Sequence, residues 1–206
     1  MAAWTLAEVG AVFLGIAGVI WYGGRHQAIE SAVIFVFVLV TFAIHHDTPK
    51  TLGMRVDNLW PATIETAAVF GVFYAGLIAG GLALGAAGSP LRVVSPSRFA
   101  VYFGFCLIQQ VALSSYLVNR LLSFCSPPVA SAAAGAIFAL MHLPNPVLVP
   151  ATLVGGAAMA WLFSRNRNIL PLALAQAIAG AIISWAFPQL WIHSMRVGPG
   201  YINFRH

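Results

Sequence analysis

An all-α, polytopic bundle of about seven membrane-spanning helices is the fold class that three observations on this 206-residue chain predict. Only 7% of its residues are charged and 60% are hydrophobic, whereas a soluble domain carries about 25% charged residues. Five stretches contain no Lys, Arg, Asp or Glu over a length near or above the ~20 residues a spanning helix requires. Glycine and alanine recur inside them at spacings that let helix backbones approach closely.

The spans follow in order. The first runs on from Glu8 and ends in Trp21-Tyr22-Gly-Gly-Arg25, an interfacial anchor pattern. That segment lacks a basic leading region and carries Glu8 early, so it does not read as a cleavable signal peptide. Ser31 to Ile44 gives a shorter, Phe- and Val-rich second helix. The third lies between Glu65 and Arg92, with Gly76, Gly80, Gly81 and Gly85 as two small-xxx-small pairs. The fourth lies between Arg98 and Arg120. The stretch from Arg120 to Arg165 is long enough for two spans, broken near His142-Leu-Pro144-Asn-Pro146. The fifth opens with Pro127-Pro128 and an alanine-rich run to Gly135; the sixth carries Gly155-Gly156. Both suit tight packing inside a bundle. The last lies between Arg167 and Arg196. Six and eight spans are the neighbouring alternatives. Residues 1–206 form one membrane domain, with 187–206 as an interfacial tail whose aromatics and cations interleave.

The net charge of +5 is scattered singly at helix ends, not gathered into a groove or stripe, so it points to juxtamembrane anchoring and away from nucleic acid. Lys50, Arg55, Arg120, Arg165 and Arg167 fall on one side of a seven-span bundle. Arg25, Arg92, Arg98, Arg196 and Arg205 fall on the other. The tie leaves the chain unoriented. Cys106 and Cys125 lack metal-like spacing. His45-His46-Asp47 reads as a juxtamembrane polar cap: adjacent helical residues diverge by about 100°, which makes a poor chelate. No metal and no cofactor is expected.

Polar residues inside spans are the place to look for a site. Gln109, Gln110, Ser114 and Ser115 sit at mid-depth in the fourth span. Three i,i+4 pairs fall in three spans: Gln110 with Ser114, Phe138 with His142, and Gln176 with Gly180. Residues four apart share a helix face, so each pair can point at one interior point.

Here the sequence resembles the CPBP family, the CAAX-protease and bacteriocin-processing intramembrane proteases. The family pattern is EExxxR, FxxxH and HxxxN. Gln109-Gln110-Val-Ala-Leu-Ser114-Ser115-Tyr-Leu-Val-Asn-Arg120-Leu follows the first. Phe138-Ala-Leu-Met-His142 matches the second, and Gln176-Ala-Ile-Ala-Gly180 follows the third. Thr51-Leu-Gly53-Met-Arg55 resembles the short segment that precedes the core. The likeness spans residues 48–183, and it implies a bacterial inner-membrane location.

The departures decide the functional reading. The resemblance implies a glutamate pair that activates water, an arginine that supports it, and histidines and an asparagine that position water and stabilise the oxyanion. In this chain both glutamates are Gln109 and Gln110, the arginine is Ser114, the second histidine is Gln176 and the asparagine is Gly180; Phe138 and His142 remain. A neutral amide takes up no proton near neutral pH. Loss of a general base costs roughly 10²–10⁴ in rate. The set is also electrostatically coherent, because a buried carboxylate pair and its cation have gone together. The expectation is therefore a degenerate site with no catalytic residue, in a binding, scaffolding or accessory subunit. It would contact lipids and other membrane subunits through helix faces and the tail. An intramembrane endopeptidase with a rearranged site is the rival, with Glu65 the one acid that might reach it. A lipid or pigment carrier is the third reading. Interhelical hydrogen bonding that locks the bundle competes with ligand binding for the glutamines.

Overall fold

The computed structural model describes residues 2–84 and 95–204. Met1, Gly85, Arg92, Arg205 and His206 therefore lie outside the described residues. Among those described, every regular element is helical: α1 (Ala2–Tyr22), α2 (Gln27–Ile44), α3 (Leu59–Ala83), α4 (Pro96–Gln110), α5 (Asn119–Leu122), α6 (Pro127–Leu140), α7 (Leu148–Asn166), α8 (Ile169–Ala186), α9 (Gln189–Ile192) and α10 (Pro199–Ile202). Between α4 and α5 the chain winds as a π-helix over Val111–Val118, so 96–122 is one continuous rod.

Among the described residues, six helices are long and apolar enough to cross a membrane: Ala3–Tyr22, Gly24–Ile44, Leu59–Ala83, Pro96–Leu122, Leu148–Asn166 and Ile169–Ala186. The fifth expected span, α6, has 14 residues. At 1.5 Å per residue it reaches about 21 Å, short of the ~30 Å hydrocarbon core. The second span is longer than its charge-free stretch suggests. It takes Glu30 into its first turn, where the positive end of the helix dipole accommodates an acid.

The small residues act where two backbones meet. A side chain at Gly135 would strike the Leu153 carbonyl oxygen at 2.6 Å, which is what lets α6 lie against α7. A Cβ at Gly81 would lie 2.5 Å from the Ala186 carbonyl oxygen, so the glycine lets α3 pack onto α8. A Cβ at Gly76 would meet nothing within 4 Å and one at Gly80 only the Phe187 ring at 3.9 Å, so among the described glycines of the two expected pairs the close backbone approach is at Gly81.

The α1–α2 hairpin is fixed to this body by a buried ionic cluster. Arg120 Nε donates to Glu8 Oε1 at 3.3 Å, and Arg120 Nη2 lies 2.8 Å from Asp47 Oδ2. His45 Nε2 lies 2.9 Å from Glu8 Oε2. The guanidinium also faces the rings of Phe42 and Tyr116. The side chains of Arg120 and Glu8 are only 5% and 6% exposed. Of the three residues expected to form a polar cap, His45 and Asp47 turn inward to this cluster while His46 stays exposed.

Candidate functional site

The site is assembled from the middle of four helices and the end of the chain. Gln110 and Ser114 are fully buried, and Ser114 Oγ donates to Gln110 Oε1 at 2.6 Å. Gln110 Nε2 donates to Gln176 Oε1 at 2.7 Å and lies 2.8 Å from the Met159 sulfur. Gln176 Nε2 in turn donates to Gln109 Oε1. Four of the seven sequence-predicted positions thus form a single chain of hydrogen bonds, Ser114 to Gln110 to Gln176 to Gln109. It crosses from the α4 rod to α8. Every amide carbonyl in it accepts, and the amide nitrogens of Gln110 and Gln176 donate, as buried polar groups require.

Gln109 and Gln176 open onto a cavity of about 150 Å³. Phe138, His142 and Gly180 line the same cavity. His142 sits on the turn after α6. Its Nδ1 is 2.7 Å from the Phe138 carbonyl, and its ring stands edge-on to Phe138 at 4.7 Å. A carbonyl only accepts, so Nδ1 carries the proton and Nε2 presents its lone pair. Phe70, Phe73, Tyr102 and Phe105 supply aromatic walls.

No Asp or Glu lines this cavity among the described residues. Glu65 is held elsewhere: Arg165 Nε donates to its Oε1 at 2.6 Å and Asn166 Nδ2 to its Oε2 at 2.5 Å. Glu8 and Asp47 are committed to Arg120. No cluster of three or more His, Cys, Asp or Glu side chains able to hold a metal occurs among the described residues.

Three site residues escape the sequence reading. Tyr102 stands seven residues before Gln109, two helical turns along the same face, and lines the cavity. Asn145, fully buried, caps α7 by accepting from Val147 N and Leu148 N at 3.1 and 2.9 Å. Its Nδ2 donates to the carbonyls of Ile192 and Arg196 at 2.9 and 3.1 Å. The tail is thereby tied across the mouth of the cavity, and Met195 and Val197 line it. The tail's aromatics and cations also engage one another. His193 stacks on Tyr201 at 4.1 Å, and Arg196 covers Phe204 at 4.9 Å. The signal for Asn145 was its place between Pro144 and Pro146, where a side-chain cap opens the next helix. Met195 carried no signal.

Helices of membrane-spanning length around a hydrogen-bonded chamber lined by uncharged side chains define a polytopic membrane protein. The family model for type II CAAX prenyl endopeptidase Rce1-like proteins matches residues 95–182, which contain the whole amide chain and His142. Over those residues the protein is similar to the Rce1-like CAAX proteases, and its long apolar helices make it an integral membrane protein. No curated protein and no solved structure matches the chain.

Proposed function

We propose that this protein binds without proteolysis, as an accessory or scaffolding subunit in the membrane, for which the family resemblance implies a bacterial inner membrane. The observation that carries the reading is the amide chain from Ser114 to Gln109, which occupies the positions where the family pattern places two carboxylates, an arginine and a histidine. Hydrolysis needs a group that takes a proton from water. The side chains on this chain are three amides and one hydroxyl, none of which does so near neutral pH. His142 alone has a free basic nitrogen at the cavity, and no acid beside it to orient or recharge it. Losing an oxyanion donor at position 180 costs a further 10²–10³ or so in rate, not simply multiplied with the first loss.

Partners would meet lipid-facing surfaces such as Ile29, Val33 and Val36 of α2, all more than half exposed. The test is cleavage of a prenylated CAAX-type peptide by the purified protein in lipid nanodiscs. Turnover at the level of protein-free nanodiscs is expected, with no change in His142→Ala. Turnover that disappears in His142→Ala would overturn the proposal.

A further inference from the structure

The amide chain has a direction, and the direction says what the cavity receives. Each link donates toward the cavity: the Ser114 hydroxyl to Gln110, the Gln110 amide nitrogen to Gln176, the Gln176 nitrogen to Gln109. The last member, Gln109, has its carbonyl filled and its NH₂ without a partner among the described residues. Gln109 itself lines the cavity, which is where a ligand could take up those N–H groups. Hydrogen bonds in series polarise one another, so this terminal donor is a strong one. Where the family pattern places a proton acceptor, this chain presents a proton donor.

On the same cavity His142 presents the complementary group. Its Nδ1–H is spent on the Phe138 carbonyl, which leaves Nε2 as an acceptor with no partner among the described residues. Thr152 commits its hydroxyl proton to the Leu148 carbonyl at 2.7 Å and adds lone pairs only. The cavity therefore offers a neutral donor and a neutral acceptor between aromatic walls.

Ligand groups can be sorted against that pair. A carboxylate satisfies Gln109 but faces the imidazole lone pair, and its charge would be buried without a cation. An ester carbonyl satisfies Gln109 and leaves His142 unmet. An ammonium suits His142 alone. A carboxamide meets both, its oxygen accepting from Gln109 and its N–H donating to His142. A cavity of about 150 Å³ is of the size that admits a ligand about as large as benzene, room for one such group and a few flanking carbons.

We infer that the cavity captures an uncharged carboxamide, held by Gln109 as donor and His142 as acceptor. The inference rests on the non-proteolytic reading and names the ligand chemistry of that site. The shared group could belong to an amide-linked lipid or to an apolar peptide.

The test uses the full chain in lipid nanodiscs with photoreactive probes of equal length: a fatty carboxamide, its methyl ester, its carboxylate, and a capped apolar dipeptide. Labelled positions are mapped by mass spectrometry. Cavity labelling by at least one carboxamide probe should exceed that by the ester about threefold to tenfold, the effect of one net hydrogen bond, and that by the carboxylate by more. Gln109→Met and His142→Phe should each bring the carboxamide down to the ester's level with thermal unfolding near wild type. The stronger of the fatty and peptide arms identifies the source. Equal cavity labelling by carboxamide, ester and carboxylate in the wild-type protein, which needs no variant to fold, would overturn the inference and leave the non-proteolytic reading standing. Cleavage of the dipeptide in the same samples would instead overturn that reading.

Discussion

The ring of Tyr102 occupies the space in which a side chain at Gly180 would begin. A Cβ built on Gly180 lies 2.7 Å from Tyr102 Cε1 and 2.8 Å from Cζ, well inside van der Waals contact. The position where the family pattern places asparagine therefore has no room for one, and the phenol fills that volume. The loss of the asparagine and the presence of the tyrosine are one packing solution.

Gly180→Ala should destabilise the protein by about 1–3 kcal/mol, the usual cost of an overpacked interior, and Gly180→Asn by more. Tyr102→Ala opens a cavity and costs stability alone. Combined with Gly180→Ala it should show a favourable coupling of at least ~1 kcal/mol, because the two residues contend for one volume. Thermal unfolding of the four proteins in detergent gives the cycle, and additive effects would contradict the contact.

Gln110 is fully buried, with Ser114 where the family pattern has its cation. Gln110→Glu places a carboxylate there with no guanidinium, and sets an acceptor against the acceptor Gln176 Oε1 that Gln110 Nε2 now serves at 2.7 Å. A destabilisation of about 3–5 kcal/mol is expected, as for other uncompensated buried charges. Gln110→Met breaks the same links without a charge and should cost less. Restoring the family residue should therefore harm this chain more than deleting the polar group, as read by the melting temperatures.

Arg120 neutralises both Glu8 and Asp47. Arg120→Met orphans two acids and should cost about 3–5 kcal/mol. Glu8→Leu combined with Arg120→Met removes the more buried acid and should recover at least half of that loss. The readouts are thermal unfolding and protease sensitivity of the 45–58 loop. If the double variant is no better than the single, the cluster is not the latch of the α1–α2 hairpin.

How much of this was legible depends on the range of the signal. Charge-free stretches locate the spans because burying charge in lipid is costly wherever it occurs. Helix geometry is local, so the i,i+4 spacing carries over where it applies: Phe138 with His142 and Gln176 with Gly180 line one cavity, whereas Gln110 and Ser114 lie behind it and Gln109, which belongs to no such pair, lines it. The π-helix over Val111–Val118 leaves no such trace, since its residues are ordinary helix and core formers. The Glu8–Arg120 pair joins positions 112 residues apart, and no periodicity reports a contact of that range. The direction of the amide chain was hidden for another reason. A glutamine both donates and accepts, so only its neighbours decide which end faces the cavity.

Asn145 ties the tail to the cavity mouth by its side chain, and its loss should open the chamber. The tail is held under strain: His193, Ser194 and Met195 have φ of +43°, +54° and +63°, a left-handed run that costs non-glycine residues roughly 1–2 kcal/mol each. Two hydrogen bonds that Asn145 Nδ2 donates to the tail, and one from Gly198 N to the Leu143 carbonyl at 2.7 Å, offset it, while Asn145 Oδ1 accepts two more from Val147 N and Leu148 N of the α7 cap. Asn145→Ala removes the four and should release the tail with a stability loss of about 2–4 kcal/mol, most of it from buried polar groups left unmet. In a protein whose native thiols are replaced by alanine at Cys106 and Cys125, a cysteine substituted for the cavity residue Thr152 should react slowly with a small maleimide. Adding Asn145→Ala should speed that reaction about tenfold, as should Met195→Gly, which thins the plug and relieves the strain without touching the anchor. An unchanged rate in both would mean that the tail does not govern access to the amide chain.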